Sequence, residues 1–240
     1  MSAIPILLDE EATKSSIVQF VEWNLDKAPH AVIFGQSGSG KTYFSKLLLG
    51  KLSLHMSNSQ IYLADFKNDG DFKFLSDCSR FYPYTKSAEG LNEFYARFLA
   101  RQNGEDLSRN RLIFFFDEWA AYLNSIIEDK KQQEAEKRKL ANLLMLGRSF
   151  RMHVIVSQQR VDAQYFQTSR DNFSLVVGLG NLSEESKNMF FHEFKKEIRP
   201  DRKQGTGYML TNGTNLTPVT VPKVTHFEKL HNAIVAGVTR

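Results

Sequence analysis

One octet constrains this chain more than any other stretch: Gly35-Gln36-Ser37-Gly38-Ser39-Gly40-Lys41-Thr42. It fits the pattern G-x-x-x-x-G-K-[ST], follows the apolar run Ala31-Val32-Ile33-Phe34 and opens a helix-patterned segment. Strand, glycine turn and helix in that order make a cradle for phosphates. Glycines at 35, 38 and 40 let the backbone bend so that successive N–H groups face inward, and the helix N-terminus adds partial positive charge. In such a loop Lys41 reaches the β- and γ-phosphates of ATP and the Thr42 hydroxyl binds Mg²⁺. The octet therefore predicts that the chain binds and hydrolyses ATP with Mg²⁺.

The rest of the chain supplies the sheet that such a loop needs. Short β-branched or aromatic runs alternate with helix-patterned segments, which predicts an α/β fold with a central, mostly parallel sheet flanked by helices on both faces. Strands are expected at 31–34, 61–65, 112–117, 153–157 and 175–178, with an antiparallel piece at 207–211. Each is a nearly continuous apolar run, as expected when both faces of a sheet are covered. Helices are expected over 42–54, 88–101, 118–127 and 132–146. In the second, Leu91, Phe94, Tyr95 and Phe98 fall on one face by i, i+3, i+4, i+7 spacing.

Composition narrows the setting. The 240 residues are 42% hydrophobic and 24% charged, ordinary for a soluble globular protein. Cys78 is the single cysteine, so no internal disulfide forms, which suits a reducing cytosol. The N-terminus reads as no secretory signal, because it lacks a basic region and runs into Asp9-Glu10-Glu11. No apolar run approaches the roughly 18 residues of a membrane span. The expected location is cytoplasmic, with any membrane recruitment left to a partner protein. Net charge is +4, from 31 basic and 27 acidic residues, which permits a polyanionic partner without requiring one.

A second acidic signal stands at Arg111-Leu112-Ile113-Phe114-Phe115-Phe116-Asp117-Glu118-Trp119. A carboxylate at the end of a buried strand is costly without a cationic partner, and Mg²⁺ held through Thr42 and the nucleotide supplies one. Asp117 thus reads as a direct or indirect Mg²⁺ ligand, and Glu118 as the general base that polarises the attacking water. Two acids could instead simply begin a helix; beside a complete phosphate loop, the catalytic reading is favoured. An Asp-Glu pair here is common in motor-type ATPases.

The block Leu146-Gly147-Arg148-Ser149-Phe150-Arg151-Met152-His153-Val154-Ile155-Val156-Ser157-Gln158-Gln159-Arg160 resembles the FtsK/HerA superfamily of DNA-pumping ATPases. In that family a Gly-Arg turn leads into a strand that ends in a Gln-Arg pair. Other blocks are similar in the same order: Ala28-Pro29-His30, Leu63-Ala64-Asp65-Phe66-Lys67, and Gly205-Thr206-Gly207-Tyr208-Met209-Leu210 followed by a polar turn and 219–224. The similarity runs from about residue 28 to 230, so the expectation is a single motor domain over 1–240, with 1–27 as a lead-in and 28–230 as its core. The resemblance implies a RecA-like P-loop NTPase core in a hexameric ring, with ATP between subunits and DNA through the centre. It implies that Gln159 senses the γ-phosphate and that Arg148 is an arginine finger entering the neighbouring subunit's site; Arg151 and Arg160 are rival fingers. An arginine donated in trans stabilises charge on the transferring phosphoryl group and ties hydrolysis to assembly. The sequence departs from the family where Val161 replaces a common proline, and it reads as a bare motor with no separate DNA-reading module.

The leading expectation is an ATP-driven translocase of a mobile element or virus, acting on double-stranded DNA in conjugative transfer or plasmid maintenance, with membrane-anchor, relaxase or capsid proteins as partners. A viral packaging ATPase, a helicase working with a nuclease, and a nucleotide-switched scaffold ring are the alternatives. Two loops are candidates for DNA contact: Lys67, Asn68 and Lys73, and the segment from Gln164 to Arg170. The mixed-charge run through Lys137-Arg138-Lys139 reads first as a solvated helix face. His30, His55, His153 and His192 are scattered without metal-ligand spacing.

Overall fold

The computed structural model describes residues 3–240, with the Gln167 side chain outside the described part. Strands β1 (Ile4–Asp9) and β2 (Phe20–Trp23) flank helix α1 (Glu10–Lys14); then come β3 (Ala31–Phe34), α2 (Lys41–His55), β4 (Gln60–Asp65), β5 (Phe81–Pro83) and α3 (Ser87–Gln102). The second half holds β6 (Leu112–Asp117), α4 (Trp119–Ser125), α5 (Lys130–Leu146), β7 (Met152–Gln158), β8 (Leu175–Leu179), α6 (Glu184–Phe190), the hairpin β9 (Thr206–Thr211) and β10 (Asn215–Thr220), and α7 (Phe227–Thr239). All ten strands form one sheet in the order β2-β1-β10-β9-β8-β3-β7-β6-β4-β5. From β8 to β5 neighbours are parallel; from β8 through β9, β10 and β1 to β2 they are antiparallel. This is the RecA-like P-loop arrangement, with helices on both faces.

Alternation along each strand sorts residues between two cores. Ile33, Ile61, Leu63, Ile113, Phe115, Ile155 and Val177 face α2 and α7. Val32, Phe34, Phe114, Phe116, Val154 and Val156 face the other way, toward α3, α4 and α5. The second core is aromatic: Phe94 stacks on Phe114 at 5.1 Å, and Phe116 meets Trp119 edge-on at 5.1 Å, pairs worth about 0.5–1.5 kcal/mol each beyond their burial.

Several elements lie outside the sequence expectation. The lead-in is part of the sheet: β1 pairs with β10, Leu8 opposite Thr220, and Ile4, Ile6 and Leu7 are fully buried. Past residue 226, α7 lays Leu230, Ile234 and Val238 against the first core. The closing strand covers Asn215–Thr220 rather than 219–224. The helix expected from 118 begins at Trp119, because Glu118 adopts a left-handed conformation (φ 60°, ψ 50°) at the N-cap.

Candidate active site

The phosphate loop is braced by the antiparallel flank. Gly40 has φ 96°, closed to most side chains, and a Cβ there would lie 3.2 Å from the Gly205 nitrogen. At Gly35 a Cβ would fall 2.5 Å from the Leu179 carbonyl oxygen. The Gly205 N–H donates to the Ser39 carbonyl at 2.8 Å, and the Gly180 N–H donates to Thr206 O at 2.8 Å. Just inside α2, the Tyr43 hydroxyl accepts from the Val224 N–H at 2.5 Å. The cleft over this loop is lined by Gln36, Ser37, Gly38, Gly40, Lys41, Thr42, Tyr43, Lys67, Gln159 and Gln204; Ser39, also in the octet, is buried beneath it.

Strand register delivers the acids. Asp65 lies opposite Asp117, and Asp117 opposite Ser157, in one row across β4, β6 and β7. Alternation turns that row toward the α2 face, the same side as Ile113, Phe115 and Ile155. Lys41 rises from α2 to meet it. Its Nζ lies 2.9 Å from Glu118 Oε1 and 3.6 Å from Asp117 Oδ1, all three side chains being at least nine-tenths buried, and it donates to Ser157 Oγ at 3.5 Å.

Burial pushes the Asp117 carboxyl up, against the pull of Lys41 and a hydrogen bond from Ser157. Asp65 is pushed up to about 6, chiefly by burial; the Asn68 N–H pulls the other way, and Asp117 adds repulsion. The acids at the strand ends outnumber the buried cation. That excess, beside a glycine cradle that side chains would fill, fits a triphosphate carried with a hard cation on oxygen ligands. Thr42 and Asp117 are the residues that would hold Mg²⁺. Among the described residues no group of three or more His, Cys, Asp and Glu could hold a metal on its own.

Glu118 is strained. A non-glycine residue in the left-handed region costs on the order of 1–3 kcal/mol and persists where its surroundings fix it. Here they do: its N–H donates to Ser157 O at 2.6 Å, Oε1 accepts from Lys41, and Oε2 accepts the Gln159 N–H at 3.4 Å. The fold thus brings together the octet, Asp117, Glu118 and Gln159.

It does not bring Arg148 there. Arg148 sits in a 3₁₀ turn, Gly147–Phe150, at the start of β7, while Gln159 follows its end. At ~3.3 Å per residue the ends of this seven-residue strand lie roughly 20 Å apart. Arg148 is exposed, and its side chain has no hydrogen bond or ion pair among the described residues. Arg151 stands at the same end, with a guanidinium N–H donating to Arg109 O. Arg160 is at the cleft end, beside Gln36 and Gln159. Of the two loops considered for DNA, Lys67 turns into the nucleotide cleft. Sequence reasoning gave no role to Asp65 or Gln204 and assigned Lys67 to DNA contact rather than to the nucleotide cleft; the Asp-x-Lys spacing at 65–67 was the available signal, and only the fold shows what it faces.

Comparison with known proteins finds relatives in sequence and in fold. No family model matches the chain. It is 28% identical over 225 residues to the FtsK domain-containing protein YdcQ of Bacillus subtilis (strain 168), covering 85% of this chain and 45% of that protein. It is 27% identical over 198 residues to the ESX secretion system protein EccC of Geobacillus thermodenitrificans (strain NG80-2), covering 69% of this chain and 13% of that one. The chain therefore spans less than half of either relative. Among solved structures, the pCW3 conjugation coupling protein TcpA, bound to an ATP analogue, superposes with a TM-score of 0.72 at 18% identity, over 96% of this chain and 69% of that one.

Proposed function

We propose that this chain, a P-loop ATPase of the FtsK/HerA type, hydrolyses ATP at sites shared between subunits of a hexameric ring and uses the cycle to move DNA.

 The observation that carries this reading is the buried contact of Lys41 with Glu118 and Asp117 at the mouth of the phosphate loop. In this state the general base is held by the lysine that serves the phosphates. When a triphosphate draws Lys41 away, Glu118 is left beside the cleft, fixed by its own backbone and by the Gln159 N–H, to take a proton from the attacking water. Gln159 lines the same cleft and is positioned to report the γ-phosphate. Mg²⁺, held by Thr42 and Asp117, would neutralise charge on the phosphate oxygens.

The placement of Arg148 supports the shared site. An exposed, unpaired arginine at the far end of β7 cannot serve its own cleft, and a ring sets it against the next subunit's. The DNA substrate is supported by the likeness to YdcQ and to a conjugation coupling protein. Among the described residues no helix is long and apolar enough to cross a membrane; a cytoplasmic motor recruited by membrane, relaxase or capsid proteins fits that.

ATPase rate with and without duplex DNA, measured for the parent and for Glu118→Gln, tests the proposal. Hydrolysis stimulated by DNA, and reduced about 10²–10⁴-fold by the substitution, is the expected result. A Glu118→Gln protein that hydrolyses normally would remove the base assignment. The second reading, a motor acting on protein, draws on the similarity to an ESX secretion protein. It is favoured if unfolded polypeptide stimulates the parent and DNA does not.

A further inference from the structure

The nucleotide cleft contains a second cation that the reading above does not use. Lys67 follows β4 and lines the cleft together with Lys41, Thr42 and Gln159. The loop that carries it is built rather than slack. The Asp65 carboxylate, 2% exposed, accepts the Asn68 N–H at 3.0 Å, and Asn68 is left-handed with φ 50°. The Phe66 N–H donates to Asp117 O at 3.3 Å, and the Phe66 ring packs on Tyr84 and Tyr122. Farther on, Asp71 Oδ1 accepts from Lys46 Nζ at 2.6 Å, which ties the loop to α2, the helix opened by the phosphate loop. Lys67 itself is half-exposed, with its Nζ 2.6 Å from Asp69 Oδ2. It also lies within the field of Asp117 and Glu118.

Two features separate this lysine from an ordinary surface cation. Its backbone is fixed on both sides by residues of the active site, and its one close partner is a partly exposed carboxylate. An exposed pair of that kind contributes about 0–1 kcal/mol, whereas a terminal phosphate offers several anionic oxygens and a charge-assisted hydrogen bond of greater strength.

We infer that Lys67 is a γ-phosphate-binding residue that exchanges Asp69 for the terminal phosphate of ATP, and so distinguishes ATP from ADP. This rests on the ATP site proposed above and deepens it. Lys41 enters the cleft from the α2 side and Lys67 from the β4 side, so that in this inference Lys67 adds a second cation at the third phosphate.

Calorimetric titration of ATPγS and of ADP into the full chain, as parent, Lys67→Ala, Lys67→Arg and Asp69→Asn, tests the inference. Lys67→Ala is expected to weaken ATPγS roughly tenfold or more while leaving ADP within about twofold. Lys67→Arg is expected to restore part of that loss, and Asp69→Asn, which frees the lysine, to keep or tighten ATPγS binding. Equal effects on both nucleotides, or none on either, would overturn it. So would a loss confined to duplex-DNA affinity measured without nucleotide, which would return Lys67 to the DNA-contact role. A parent chain that binds neither nucleotide would instead remove the ATP site itself, and this residue's role with it.

Discussion

The two ends of the parallel strands treat charge in opposite ways. At the C-terminal end, Lys41, Asp117, Glu118 and Lys67 stand in pairs that a ligand can exchange, over a cleft open to solvent. At the N-terminal end charge is locked. Arg101, on α3, reaches Asp106 Oδ2 at 3.1 Å, Phe150 O at 2.7 Å, Ser108 Oγ at 2.9 Å and Asn110 Oδ1 at 2.7 Å, and its side chain is 3% exposed. Arg111 is held by Asp26 at 2.6 Å. Beside these saturated groups the exposed Arg148 side chain makes no hydrogen bond or ion pair among the described residues. The contrast teaches that burial by itself says little about function: a fully satisfied arginine holds a scaffold, whereas a pair able to trade partners performs work.

The comparison breaks most visibly at Arg148. Arg148→Ala is expected to lower hydrolysis by the assembled protein about 10³–10⁵-fold, with ATP binding retained. Mixing Arg148→Ala with Lys41→Ala subunits should recover part of the activity, because some interfaces pair an intact finger with an intact phosphate loop. A mixture as inactive as its components argues against a finger acting in trans.

A smaller effect is expected at Arg101, whose locked network should answer in stability rather than in chemistry. Arg101→Ala takes a buried guanidinium away from partly exposed partners, at a cost of about 1–3 kcal/mol, read as a shift in the urea midpoint. Because Arg101 bonds to the Phe150 carbonyl, the turn that carries Arg148 should loosen too. Unchanged stability would show that the N-terminal end is no more rigid than the cleft.

The smallest effect concerns His30 and His153, buried at that same end. Burial pushes His30 down to about 3, with His153 adding repulsion, and burial pushes His153 down to about 4 while its bond to Pro29 O pulls upward. Both folded values lie below the unfolded value near 6.5, so the neutral rings stabilise the fold above that pH and the stability is lost as pH falls from there toward 3–4. Between pH 6.5 and 5 the loss is about 2 kcal/mol per ring at most. Denaturation midpoints over that range, for the parent and for a His30→Gln, His153→Gln double variant, should diverge. Parallel curves would mean that protonation at these rings does not limit acid stability.

How much of this was legible in the sequence depended on whether the signal was local. The octet, the apolar runs at 31–34 and 112–117 and the Asp117-Glu118 pair each sit within a few residues, and the structure places them at one site. The β1 strand was not legible: Pro5 interrupts its run, and its partner β10 lies some two hundred residues away. Helix α7 does carry the spacing Leu230, Ile234, Val238, but Gly237 and two valines near its end weaken helix propensity. The conformation of Glu118 had no local sign at all, since an acid after a strand normally begins a helix. Lys67 reads as a loop cation until the register of β4 against β6 sets it at the cleft over the phosphate loop.

The clasp between Ser39 and Gly205 bears on affinity. A free loop with three glycines has more conformational freedom to surrender than most, and a nucleotide that had to order it would bind correspondingly less tightly. Here the β9–β10 side of the sheet has already set the loop in place during folding. A nucleotide would therefore meet a seat already held from the flank, with less ordering left to offset its binding.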